Sequence, residues 1–309
     1  MKKLLTCLIG IILYSSAVAQ SSRGSRKFLL RDEGLSQVCF VNLDDSTANW
    51  QVKVPPGRDL QLVGKGSVLI GTGNGYQEID IRSGKTLKEI SDYSGSIMAR
   101  RLKNGNTMLV GLNWENKKGI VLLEVAPDGA KKKVLNFPEY NYVRLVRETP
   151  KGTYLITANN VVFESNSTGE IIWKAKLTGP EKIHAWQALR LKKKTVVSTG
   201  YGVNFQVLKK DGTPEKIFTG PEHVNPHFFA GFQVLSNGNY LVSNWQGHGV
   251  GHGNSGNQLL EFTPNGKLVW SWKQDPAKFS SLQGVLALDG LDPQYLYIEG
   301  KNGKLRKQK

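Results

Sequence analysis

Cysteine is nearly absent from this chain, and what little there is excludes a disulfide framework. Of two cysteines, Cys7 lies in an apolar N-terminal run and Cys39 in the stretch QVCFVNL. Once the N-terminal run is removed, a single cysteine remains, and it cannot form an internal bridge. Cys39 therefore reads as a small buried hydrophobe in a strand. Helical periodicity is also missing: apolar residues recur in short β-rich runs instead of at the 3.6-residue spacing of an amphipathic helix. No serine-elbow motif, phosphate-binding loop or dinucleotide fingerprint occurs, which removes several large enzyme classes. Acidic residues are few, 25 against 41 lysines and arginines, so nucleic acid has to be considered as a partner. No nucleic-acid module accompanies the charge, and none is expected to bind.

The N-terminus has the layout of a cleaved secretory leader. A basic start (Lys2, Lys3), an apolar run from Leu4 to Tyr14 and a small-residue end, Ala17-Val18-Ala19, assign residues 1–19 to a signal peptide. The apolar run falls short of the about 20 residues that span a bilayer. Cys7 lies inside that run and not after it, so no lipid anchor is expected. Residues 20–26 read as a linker. The mature chain is expected to be soluble, periplasmic or extracellular, monomeric and not embedded in a membrane. About 290 residues bury a sizeable core without staples. The formal charge is +16, or +14 without Lys2 and Lys3. That balance favours an anionic glycan or another acidic ligand, while the runs Lys131 to Lys133 and Lys192 to Lys194 read as solvated strand edges.

One phrase then recurs along the chain: an apolar strand, a glycine turn and a second strand. It appears as YQEIDIRSGKTLKEI, IVLLEVAPDGAKKKVL, VVFESNSTGEIIWKAKL, FQVLKKDGTPEKIF and QLLEFTPNGKLVWSWK, with an irregular first copy, QVCFVNLDDSTANWQVKV. The turn glycines are Gly84, Gly129, Gly169, Gly212 and Gly266, spaced 45, 40, 43 and 54 residues apart. A second turn precedes most of these hairpins, as in KNGNTMLVGL and SNGNYLVSN. Four antiparallel strands repeating at about forty residues are the signature of a propeller blade. The fold class is therefore all-β: a β-propeller over 27–300 with six four-stranded blades. SLQGVLALDG near the C-terminus has no hairpin after it and is expected to complete the first blade, which begins at Lys27. Residues 301–309, KNGKLRKQK, read as a basic tail.

SNSTGEIIWKAKL and TPNGKLVWSWK carry a resemblance to the tryptophan-docking repeats of quinoprotein-type, or PQQ-like, propellers, in which a glycine turn is followed by tryptophan. Trp50, Trp173 and Trp270 stand near the docking position, whereas Leu87, Val134 and Ile217 replace it elsewhere. The resemblance implies a propeller. It does not imply bound quinone, because the quinone-dependent members are eight-bladed, hold calcium beside the cofactor and often carry a vicinal cysteine pair, which this chain lacks. No cofactor is expected. The repeats are also similar to those of six-bladed arylsulfotransferases, whose catalytic motif cannot be matched here.

In a propeller, the loops between blades share a face with the loops joining second and third strands, and all five histidines fall on that face. His184 opens the inner strand of the fifth blade. His223 and His227 flank the start of the sixth, and His248 and His252 lie in its glycine-rich loop, NWQGHGVGHGNSG. Histidine can move protons or ligate metals near neutral pH, so His184, His227 and His248 are the catalytic candidates. His248 and His252 are the candidate metal pair, but no metal site is expected, because their four-residue spacing means little among so many glycines. Trp186, Asn225, Asn244, Trp245 and Gln246 suit a ring with hydroxyls, and Tyr142 with Arg144 suits a carboxylate or sulfate. Two functions fit: an exported propeller that binds a small molecule, glycan or protein at this face, or an enzyme acting on an anionic glycan or sulfate ester by histidine acid/base chemistry. The residues leave the choice open.

Overall fold

The computed structural model describes residues 26–308. The expected leader lies outside them. Twenty-four strands form six four-stranded antiparallel sheets arranged in a ring. Blades two to six follow the chain in order. Their inner strands are Leu60–Gly64, Met98–Arg101, Val146–Glu148, Gln187–Arg190 and Phe229–Val234. Blade one is shared between the ends of the chain. Lys27–Asp32, Gln37–Asn42 and Trp50–Lys53 receive Leu282–Ala287 as their innermost strand, with Phe28 opposite Ala287 and Leu30 opposite Val285. Closure of this kind removes the two open edges an incomplete ring would present.

Burial explains the strand patterns. The second strand of blade two, Ser67–Thr72, is buried at every position because a blade lies against each of its faces. Such a strand reads as a continuous apolar run. The outer strands Thr86–Ile90 and Pro214–Phe218 alternate between exposed and partly covered, since one side meets water. The repeated turns need glycine. Gly84 sits at φ +71°, and a Cβ there would come within 3.0 Å of the Trp50 ring of the preceding blade. That contact is part of a recurring joint. The Trp50 indole donates to Ile81 O at 2.9 Å and the Trp173 indole to Lys210 O at 2.8 Å, each reaching the next blade. Trp270 meets blade one, with Arg26 over its ring at 4.1 Å.

A second joint lies nearer the axis, where inner strands of neighbouring blades diverge too far for a ladder. Three glutamines bridge the gap. The Gln187 amide donates to Phe232 O and accepts from Phe232 N at 2.8 and 2.9 Å. Gln61 does the same with Arg101, and Gln233 with Ala287. The side-chain amide thus stands in for one rung of sheet.

The segment expected to be a basic tail is instead part of a folded hairpin, Tyr297–Glu299 paired with Leu305–Lys307. It closes one end of the central channel. Leu296 bridges to Val63 of blade two and Lys304 to Val234 of blade six. Glu299 enters the channel and meets Arg100 at 2.6 Å and Arg147 at 3.1 Å. Asp59 meets the same two arginines at 3.1 and 2.8 Å. Four buried charges balance there, leaving a void of about 40 Å³.

Candidate functional site

The opposite end of the channel is open. Its mouth holds a cavity of about 250 Å³, with Trp186, Tyr201, Phe228 and Trp245 forming an aromatic wall. Phe228 is the centre of that wall. It meets Tyr201, Trp186 and Trp245 edge to face, with centroids 4.7, 5.0 and 5.1 Å away. This is the preferred aromatic geometry, and all four rings contribute to the lining of the cavity. Arg58, Ser96, Arg144 and Gln283 line the other side, with Glu33 and His248 at the rim.

Three of these residues share one position in the repeat. Arg58, Ser96 and Arg144 each stand two residues ahead of an inner-strand residue (Leu60, Met98, Val146) that pairs with Ile70, Val110 or Ile156 of SVLI, TMLV or TYLI. Their side chains therefore reach the axis at the same height in blades two, three and four. Asp59, at φ +80°, turns the next side chain down to the channel arginines. Among the described residues no carboxylate pairs with Arg58 or Arg144. Both Nε atoms are buried and reach no acceptor. The Arg144 guanidinium lies 3.9 Å over the Tyr142 ring and 5.1 Å from the Trp186 ring, which Arg58 also faces at 5.4 Å. Burial first, and the like charge of Arg58 second, disfavours the charged form of Arg144. Burial does the same to Arg58, partly offset by Glu33. Guanidinium keeps its proton in proteins, so an anion arriving between the two would relieve that repulsion.

The histidines do not converge. His248 alone of the five lines the cavity. Its Nδ1 donates to Glu33 Oε1 at 2.9 Å, and Trp245 Nε1 donates to the other oxygen at 3.1 Å. That arrangement leaves His248 Nε2 as the acceptor nitrogen. His184 stands behind Tyr142, 3.3 Å from its hydroxyl, and burial, then Arg144, lowers its pKa. His227 lies at the surface 6.3 Å from the Trp245 ring, with its pKa lowered by burial and then by His252. His223 is exposed. His252 Nε2 donates to the carbonyl of His248 at 3.1 Å. Among the described residues no three of His, Cys, Asp and Glu gather as metal ligands.

The three amides expected to meet a ligand are engaged within the protein. Asn244, fully buried, accepts from the His227 and Phe228 amides and donates to Asn225 O and Asn257 O. Gln246 donates to Asn225 O, and Asn225 to Gln246 Oε1. Together they fix the glycine-rich loop. Ser280 holds Gly249 O and Gln258 holds His252 O, so the loop is pinned both to the entry of blade one's inner strand and to its own blade. Trp186, Trp245 and Arg144 do line the cavity, and Tyr142 supports Arg144 from beneath. Arg58, Ser96, Tyr201 and Phe228 were not singled out from sequence. The repeat register of Arg144 was the available signal for the first two; Tyr201 in TGYGV reads as turn and Phe228 in PHFFAG as core.

No family profile matches the chain, and no curated protein matches it in sequence. Solved structures do match in shape. A protein of unknown function from Bacteroides caccae aligns at TM-score 0.67 and 23% identity, covering 85% of this chain and 99% of that one. Virginiamycin B lyase from Staphylococcus aureus, in a catalytically inactive form with quinupristin, aligns at 0.55 and 14%, covering 93% and 94%. A chain of the nidogen/laminin complex aligns at 0.58 and 11%, covering 85% and 98%. The chain is a six-bladed β-propeller. At these identities the likeness carries the fold alone, and propellers serve many functions.

Proposed function

We propose that this propeller is an exported protein that binds one small molecule in the cup at its channel mouth. The observation that carries this reading is the contrast between the two ends of the channel. One end is filled by the hairpin and a set of four buried charges, one of them on the hairpin, while the other keeps a cavity walled by four aromatic rings. Concave, largely apolar pockets with a few convergent polar groups are the usual form of ligand sites. The tryptophan joints between blades support kinship with the quinoprotein-type repeats, and the reading needs no cofactor. Export rests on the N-terminal leader.

Two tryptophans in the wall make the reading testable. Titration with small ring compounds, followed by intrinsic fluorescence and thermal shift, is expected to give a saturable response. Phe228→Ala, which removes the centre of the wall, should abolish it while the fold survives. A response unchanged by Phe228→Ala would move the site elsewhere.

One observation favours catalysis as a second reading. His248 is held by Glu33 at the cavity rim with one ring nitrogen free to accept a proton, the arrangement a general base needs. On this reading the enzyme acts on an anionic glycan or sulfate ester. Turnover of such a compound that is lost in both His248→Asn and Glu33→Gln, with binding retained, would establish it.

A further inference from the structure

The protein matches its other buried arginines carefully. Arg100 and Arg147 share Asp59 and Glu299. Arg31, almost wholly buried, donates to four carbonyls, those of Asp32, Gln37, Pro55 and Gly57. Arg58 and Arg144 depart from that pattern at one cavity: among the described residues neither meets a carboxylate, and Arg144 Nη1 reaches only Val143 O, at 3.5 Å. Four buried polar atoms on the same cavity reach no partner among the described residues: Arg58 Nε, Ser96 Oγ, Arg144 Nε and Trp186 Nε1. All four can donate. Buried polar atoms are nearly always paired in folded proteins, so four orphaned donors around one void point to an absent acceptor. The acidic side chain on the wall, Glu33, does not supply it, since both of its oxygens are taken by His248 and Trp245.

Resting on the small-molecule reading above, we infer that the cup selects a single-ring carboxylic acid, its carboxylate held between Arg58 and Arg144 and its ring against Phe228. A carboxylate is planar and offers two oxygens, which suits two guanidinium forks converging from blades two and four, with Ser96 of blade three between them. Beside them Tyr201, Phe228 and Trp245 give an uncharged aromatic surface, while the other charged groups of the lining are already matched, Arg31 to four carbonyls and Glu33 to His248 and Trp245. A void of about 250 Å³ lies below the usual range for larger ligands, which fits one substituted ring and excludes a long oligosaccharide lying wholly inside. Loss of the like-charge repulsion between the two arginines adds to the attraction, so affinity should fall as salt rises.

The test is isothermal titration of the full mature chain with four probes: benzoate, glucuronate, benzamide and inorganic sulfate. Benzoate or glucuronate is expected to bind at a one-to-one ratio while benzamide does not. Arg58→Gln and Arg144→Gln should each weaken that binding at least about tenfold, and circular dichroism and melting curves should show both variants folded. Ser96→Ala, a smaller change, should weaken it less and guards against misfolding of the arginine variants. The two acids distinguish an aromatic from a sugar ring. Benzamide binding as tightly as benzoate would overturn the charge selection and leave the small-molecule cup standing. Inorganic sulfate binding as tightly as both acids would mean an adventitious ion only and would overturn the ring. Failure of every probe, neutral and charged, in both titration and fluorescence would overturn the cup reading itself.

Discussion

Arg100, Arg147, Asp59 and Glu299 form a closed set of charges, so losing one member strands another in the channel. Breaking a buried pair by removing one partner typically costs about 3–5 kcal/mol. Glu299→Gln is accordingly expected to lower the denaturant midpoint by the equivalent of roughly 3 kcal/mol. A double variant, Arg147→Met with Glu299→Leu, should recover much of that loss. His184 provides a second residue-scale prediction. Its pKa in the folded protein lies below the ordinary value, through burial and then through Arg144. The folded state therefore disfavours the protonated ring. The stability it contributes is complete above the unfolded pKa of about 6.5 and is lost as pH falls through the lower folded value. Melting temperatures measured from neutral pH downward should fall less steeply in His184→Asn than in the parent. A slope unchanged by the substitution would assign the acid sensitivity to other groups. At this scale the sequence was only partly legible. Arg144 stood out beside Tyr142 as a partner for a carboxylate or sulfate, and Trp186 and Trp245 as rings that suit a ring ligand. Arg58 did not, because PPGRDL reads as a turn, and its burial depends on side chains brought to the axis by other blades, Trp186 of blade five among them. The amides of Asn244 and Gln246 looked free on paper but are consumed by loop backbone that no pattern of residue types reveals.

The elements themselves were the most legible part of the molecule. Glycine turns between strands of matched length announced the hairpins, and each turn glycine named above takes positive φ in the structure. The bridging glutamines carry no such signal, since Gln61, Gln187 and Gln233 look like any polar residue in a strand. They nonetheless stand where backbone groups would be orphaned. Gln187→Leu removes the partners of both Phe232 N and Phe232 O, and a buried unsatisfied group costs about 1–3 kcal/mol. That variant is expected to be less stable by roughly 2 kcal/mol or more, with amide exchange at Phe232 accelerated ahead of the rest of blade six. Uniform acceleration across the blade would mean that the amide does not act locally. Gly84→Ala tests the outer joint. Positive φ and the close Trp50 ring predict a loss of about 1–2 kcal/mol, measurable as a shift in denaturant midpoint without a change in slope. The C-terminal hairpin escaped the sequence because KNGKLRKQK has the composition of a solvated tail. What folds it is the packing of Tyr297 and Leu305 on the core beneath blades one and two, with Glu299 paired inside the channel.

As a whole the molecule is a ring fastened by its own ends. Leu282–Ala287 lies beside Lys27–Asp32, and Asp32 accepts from the amides of Ser280 and Ser281 to lock the join. A ribosome delivers the amino end first, so the first blade to emerge is the last to be finished. Until the other five blades have been made, Lys27–Asp32 waits with its inner edge bare, and no completed sheet exists at the start of the chain. Folding of this protein is in that sense retrospective: Lys27–Asp32 acquires its inner neighbour only after the other five blades have been made, and any nascent chain arrested before then carries an unsatisfied edge for as long as the arrest lasts.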